Sequence, residues 1–85
     1  MTETIGYLAA ATTTLSFFPQ VLKAWRSRSL KDVSLGMYVL ISAGLFLWIL
    51  YGIQIWSYPV ILANSLTLLQ TLLILTAKLL FRPRA

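Results

Sequence analysis

Three apolar runs dominate the chain, at about 5–25, 35–55 and 58–81. Each holds roughly 20 residues or slightly more, the length a helix needs to cross ~30 Å of hydrocarbon. The expected fold is an all-α integral membrane protein, with one domain over 1–85 built as a bundle of three transmembrane helices. The connections between the runs are short, so neighbouring helices are antiparallel. Asp32 or Ser34 is placed to cap the second helix, since either side chain can accept from free backbone N–H groups. Pro59 falls in the first turn of the third helix, where a missing donor costs little. Pro83 lies just past its end and helps stop it.

Composition excludes most other classes. Of 85 residues, 59% are hydrophobic and 11% are charged, whereas a soluble domain has about 25% charged. There is no cysteine and no histidine, which removes disulfides, thiol–metal chemistry and the usual metal ligand and general base. No metal, no cofactor and no enzymatic nucleophile–base pair is therefore expected. The net charge of +5 would suit nucleic acid if it covered a surface. The basic residues instead flank the apolar runs, so no nucleic-acid partner is expected and the bilayer is. The first residues, Met1-Thr2-Glu3-Thr4, lack the basic start of a signal peptide, so the first run is expected to remain as a membrane helix.

Orientation follows from the same charges. Lys23, Arg26, Arg28 and Lys31 sit in the first connection, and Lys78, Arg82 and Arg84 at the C-terminal end. The second connection, Gln54-Ile55-Trp56-Ser57, has no charge. Positive-inside reasoning places the first connection and the C-terminus in the cytoplasm, and the N-terminus outside. Tyr7, Tyr51, Trp56 and Tyr58 then fall near the outer boundary, and Trp25, Tyr38 and Phe81 near the inner one, as interfacial anchors do. Trp48 fits neither belt.

Depth and facing single out a second set of residues. Trp48 precedes Trp56 by as many residues as Asn64 follows it. Both lie about 12 Å below the outer turn at 1.5 Å per residue, close to the middle of the core. Thr13 reaches a similar level on the first helix, and Pro19 and Gln20 lie deeper. Ala9, Thr13, Ser16 and Gln20 share one face of that helix, and Asn64, Thr67 and Thr71 one face of the third. Gly44 and Gly52 lie one turn either side of Trp48 and are expected to leave open space around its ring. Pro19 cannot donate to the carbonyl of Leu15 and crowds it. In lipid such a break survives only against protein or a water-filled cavity. These faces are expected to meet around a pathway, with Pro19 and Gln20 as its hinge. The plainer alternative is that the polar residues only join helices and the small ones only allow close packing. An indole offers a flat apolar platform and an amide both donor and acceptor, a pair suited to a sugar. No charge falls within a span, so a neutral solute moving down its own gradient is expected. Three helices do not easily enclose a sugar. A second copy, held parallel by the shared charge pattern, would supply six helices around a two-fold axis along the membrane normal.

Thr13-x-x-Ser16-Phe17-x-Pro19-Gln20 resembles the PQ-loop signature. Together with the basic turn, Asp32-Val33-Ser34, Trp48-x-x-Tyr51-Gly52 and Asn64, it resembles the SemiSWEETs, bacterial half-size sugar transporters, from about Ile5 to Leu80. The resemblance implies helices packed in the order first, third, second, and a parallel homodimer in the bacterial cytoplasmic (inner) membrane with one central pocket. It implies substrate contact by Trp48 and Asn64, with Thr13, Ser16 and Gly44 as pocket-lining candidates. Met37 and Ile41 match positions near the cytoplasmic gate, and Tyr51 a position near the outer gate. Some members carry charges shortly after this tyrosine. Here Ile55, Trp56 and Ser57 stand instead, so outer closure is expected to rest on Tyr51 and apolar packing. The function implied is alternating-access, facilitated transport of a mono- or disaccharide such as glucose or sucrose. A PQ-loop carrier of another neutral solute and a holin-like pore former are the alternatives.

Overall fold

The computed structural model describes residues 2–31 and 33–81. Three helices are present, α1 over Thr2–Ser27, α2 over Leu35–Gln54 and α3 over Tyr58–Leu80. α1 extends from Thr2 rather than Ile5 and ends at Ser27 rather than Trp25. Polar and charged residues can continue a helix beyond its apolar run. Ile55 and Phe81, expected as the last helical residues, are instead the C-caps of α2 and α3.

α3 packs against both α1 and α2, and α1 and α2 make no close backbone contact with each other among the described residues. The order in space is therefore α1, α3, α2, as the resemblance implied. The bundle measures 51 Å by 22 Å by 14 Å. α2 and α3 are long and apolar enough to cross a membrane. α1 has the length, but its polar seam makes it less apolar.

Local chemistry fixes the ends. Ser34 Oγ accepts from Met37 N at 3.1 Å and caps α2; Asp32, the other expected cap, lies outside the described residues, as do Arg82, Pro83 and Arg84. Ser57 Oγ accepts from Val60 N and caps α3, with Pro59 in the first turn. α2 ends in a Schellman arrangement. Ser57 N donates to Gly52 O at 2.9 Å and Trp56 N to Ile53 O at 3.2 Å, which occupies carbonyls the helix end leaves free. This turn requires a left-handed residue, and the position is filled by Trp56 with φ 53°.

The buried apolar residues are few and mostly small: Ala10, Val21, Ala24, Leu30, Ile74 and Ala77. Most of them lie at the end that carries the first connection, where Trp25, Val33, Tyr38 and Phe81 pack around them. There Trp25 and Phe81 meet edge to face with centroids 5.3 Å apart, and Lys78 Nζ donates to Leu30 O at 2.8 Å, closing the first connection onto α3. Many large apolar side chains are exposed on the single chain, Leu15 and Leu40 among them. Such a core is far too small to offset chain entropy in water. Exposed faces of this kind suit lipid or another chain.

Polar contacts join the helices between these ends. Thr71 is fully buried and shares a 3.0 Å hydrogen bond with Ser42, linking α3 to α2. Gln70 Nε2 donates to Thr14 O at 3.0 Å, linking α3 to α1. Thr67 is buried and returns its hydroxyl to Ala63 O. Thr67 and Thr71 were expected on a pathway face with Asn64; their burial makes them part of helix packing instead. The face of α3 that carries Asn64 is thus packed into the interior from Thr67 onward.

Candidate functional site

Trp48 and Asn64 line one concavity of about 330 Å³ together with Gly6, Ala9, Pro59, Val60 and Ala63. All three helices contribute: α1 supplies Gly6 and Ala9, α2 supplies Trp48, and the rest come from α3. Two residues at equal sequence distance from Trp56 thus meet across the α2–α3 hairpin, as antiparallel helices joined by a tight turn require.

The amide of Asn64 is half committed. Its Nδ2 donates to Val60 O at 2.8 Å, and among the described residues its Oδ1 takes no hydrogen bond. The side chain is half-buried, so the desolvation cost of that oxygen is partial. Trp48 is 55% exposed on the single chain. Its ring meets Tyr51 edge on, with centroids 5.7 Å apart and planes at 83°. A second concavity of about 420 Å³ is lined by Gly44, Leu47, Trp48 and Tyr51. Trp48 therefore forms a wall shared by two open spaces.

The two glycines flanking Trp48 play different parts. A Cβ on Gly44 would meet nothing within 4 Å, so that side is open as expected. A Cβ on Gly52 would lie 2.9 Å from Val60 Cγ1 and 3.1 Å from Ile61 Cγ1. Gly52 is buried and lets α2 approach α3; the expected open space is filled there by the start of α3. Gly6 has the same role near the N-terminal end of α1, where a Cβ would overlap Pro59.

At the end that carries the first connection, Gln20 and Met37 share a third cavity of about 400 Å³ whose walls include Lys23, Leu30, Ser34 and Tyr38. One residue expected at the hinge and one expected at the gate thus lie across the opening between α1 and α2. Ile41 is exposed and lines none of these cavities. Pro19 lies inside an α1 that stays helical throughout. Thr13 and Ser16, expected at the pocket, line neither concavity at Trp48. Both are exposed on the single chain, and Ser16 Oγ returns to Thr12 O at 2.8 Å. The face of α1 that packs on α3 carries Ala10, Val21 and Ala24, which turns the Thr13–Gln20 face away from α3. Ala9 is the only member of that face to reach Trp48 and Asn64. Sequence reasoning did not find Gly6, Ala63, Ser42 or Gln70. For Gln70 a signal exists, because it follows Thr67 by three residues on one helix face.

The model of the PQ loop repeat matches residues 1–57. The chain is 44% identical over 79 residues to a protein of Leptospira biflexa named sugar transporter SemiSWEET, covering 93% of each. A crystal structure of a bacterial homologue of SWEET transporters superposes with a TM-score of 0.89 at 40% identity, covering 94% of this chain and 96% of that one. A SemiSWEET solved in the inward-open conformation gives a TM-score of 0.86 at 35% identity, covering 94% and 86%.

Proposed function

We propose a sugar carrier, because this chain belongs to the PQ-loop family, among its SemiSWEET members. The family is one of membrane transporters rather than enzymes. In this reading the protein moves a mono- or disaccharide, such as glucose or sucrose, across the bacterial cytoplasmic membrane without an ion gradient.

One juxtaposition supports the reading: Trp48 and Asn64, from two helices and equally far along the chain from Trp56, line a single concavity. The indole face stacks on the C–H face of a sugar ring, and the amide of Asn64 exchanges hydrogen bonds with hydroxyls at its edge. The concavity lies open on the single chain. A parallel second copy, related by a two-fold axis along the membrane normal, would close it and present each residue twice. The N-terminus is outside and the C-terminus cytoplasmic, following the basic first connection.

Passage requires that the two sides open alternately, with both states populated. α1 bends at Pro19, where the carbonyl of Leu15 lacks its helical donor. This motion changes the opening between Gln20 on α1 and Met37 on α2 at the cytoplasmic side, with Ile41 deeper in the same gate. Outside, Tyr51 and the apolar turn at Ile55 and Trp56 close the path without an ion pair. Thr13 and Ser16 line the wider pathway and come to the pocket through the second copy.

The test is uptake of radiolabelled sugars into liposomes holding the purified protein, with Asn64→Ala and Trp48→Ala alongside. Saturable uptake by the parent, lost in both folded variants, is expected. Full uptake by both variants would overturn the site, and cell lysis on mild expression would favour a pore former.

A further inference from the structure

The contact between Thr14 and Gln70 is incomplete in a specific way. Gln70 is 7% exposed and donates Nε2 to the Thr14 carbonyl at 3.0 Å. Its Oε1 is buried with no hydrogen-bond partner, and so is the Thr14 hydroxyl. One of these groups is an acceptor without a donor. The other is a hydroxyl whose proton has no acceptor. A buried polar group left unpaired is uncommon and costly, and here the two belong to residues already in contact.

Three other helical hydroxyls nearby behave differently. Thr12, Ser16 and Thr67 each donate to the carbonyl four residues earlier, at 2.8, 2.8 and 2.9 Å. Thr14 has the same option in principle and does not use it. The position in α1 adds a second observation. Pro19 leaves the next carbonyl along, that of Leu15, without its helical donor. Below that break α1 is packed through Val21 and Ala24 in the same cluster as Ile74 and Ala77 of α3. Gln70 thus holds α1 immediately above its weakest point, and bending at Pro19 reaches the Thr14–Gln70 contact directly.

We propose that Thr14 and Gln70 form a latch in which the Gln70 Nε2 bond to the Thr14 carbonyl persists in both conformations and a second bond, Thr14 O–H to Gln70 Oε1, closes only in the opposed one. The inference rests on the alternating carrier proposed above. The latch positions α1 and touches no sugar; neither residue lines the concavities at Trp48 or the cavity at Gln20. It biases the balance between states by the worth of one net hydrogen bond, roughly fivefold.

The chain contains no cysteine, so spin labels can be placed singly. Labels at Lys31→Cys and at Gln54→Cys, both exposed, report distances between the two copies at the inner and outer ends. In the parent each end gives two distance populations, near and far. Thr14→Val removes the hydroxyl with little change of shape and keeps the carbonyl bond. It is expected to shift the ratio roughly fivefold toward the conformation described here, seen at the two ends in opposite senses; a shift the other way would overturn the latch. Turnover is expected to fall while KM changes little, and Thr14→Ser should restore the parent ratio. Gln70→Met should shift the ratio in the same direction as Thr14→Val. Unchanged populations in Thr14→Val, with only a change in thermal stability, would make the pair purely structural and overturn the latch while leaving the carrier. That result would also follow if one water joined the two groups in both states. A single population at each end in the parent would remove the alternating carrier and the latch together.

Discussion

Trp48 and Tyr51 meet edge to face, with ring centroids 5.7 Å apart, so the proposed sugar platform is braced by the proposed outer gate. Edge-to-face pairs contribute about 0.5–1.5 kcal/mol beyond burial. Tyr51→Ala should free the indole and weaken sugar binding roughly three- to tenfold, as that energy implies. Tyr51→Phe keeps the ring edge and should bind like the parent. Equilibrium binding of the transported sugar checks both; equal loss in the two variants would assign the effect to the hydroxyl.

Gly44 and Gly52 should separate function from folding. Gly52→Ala forces a Cβ to within 2.9 Å of Val60 Cγ1 and 3.3 Å of the Ile61 backbone nitrogen. It should destabilise the fold by about 1–3 kcal/mol, seen as a lower melting temperature in detergent. Gly44→Ala meets nothing and gains about 0.5–1 kcal/mol of helix stability. Its methyl enters the space beside Trp48, so transport should fall while the melting temperature holds or rises.

Trp56 sits at φ 53° in a turn that favours glycine. The left-handed conformation costs a bulky residue about 1–2 kcal/mol. Trp56→Gly should recover part of that in thermal stability, less whatever the indole contributes at the membrane boundary. A drop of more than about 1 kcal/mol would show that anchoring outweighs strain.

Pro19→Ala restores the donor missing at the Leu15 carbonyl. Turnover should fall several-fold while sugar affinity stays close to that of the parent. An unchanged transport rate would remove the hinge role. Stopped-flow efflux from proteoliposomes, set beside equilibrium binding, distinguishes the two.

The sequence carried the coarse fold because apolar length and the placement of lysine and arginine are one-dimensional signals. Helix order could not be read that way, since the α1–α3–α2 arrangement depends on which faces meet; it came from resemblance. The pairing of Trp48 with Asn64 was legible because a hairpin of two helices equates depth with distance from the turn. Thr67 and Thr71 were misplaced for a related reason. Spacing of three and four identifies a shared face but not its neighbour, and burial decides that, with Thr71 held against Ser42. Gly44 and Gly52 look equivalent in sequence, and only the position of Val60 and Ile61 separates them. Gln70 follows Thr67 on one helix face, yet its partner is a backbone carbonyl, which no residue pattern encodes.

The central claim is one sugar site shared by two chains across a two-fold axis. Its most direct test is the binding stoichiometry of the transported sugar, measured by calorimetry on purified protein in nanodiscs. One sugar per two chains, abolished by Asn64→Ala, is predicted. One sugar per chain, or binding that survives in Asn64→Ala, would contradict the shared pocket.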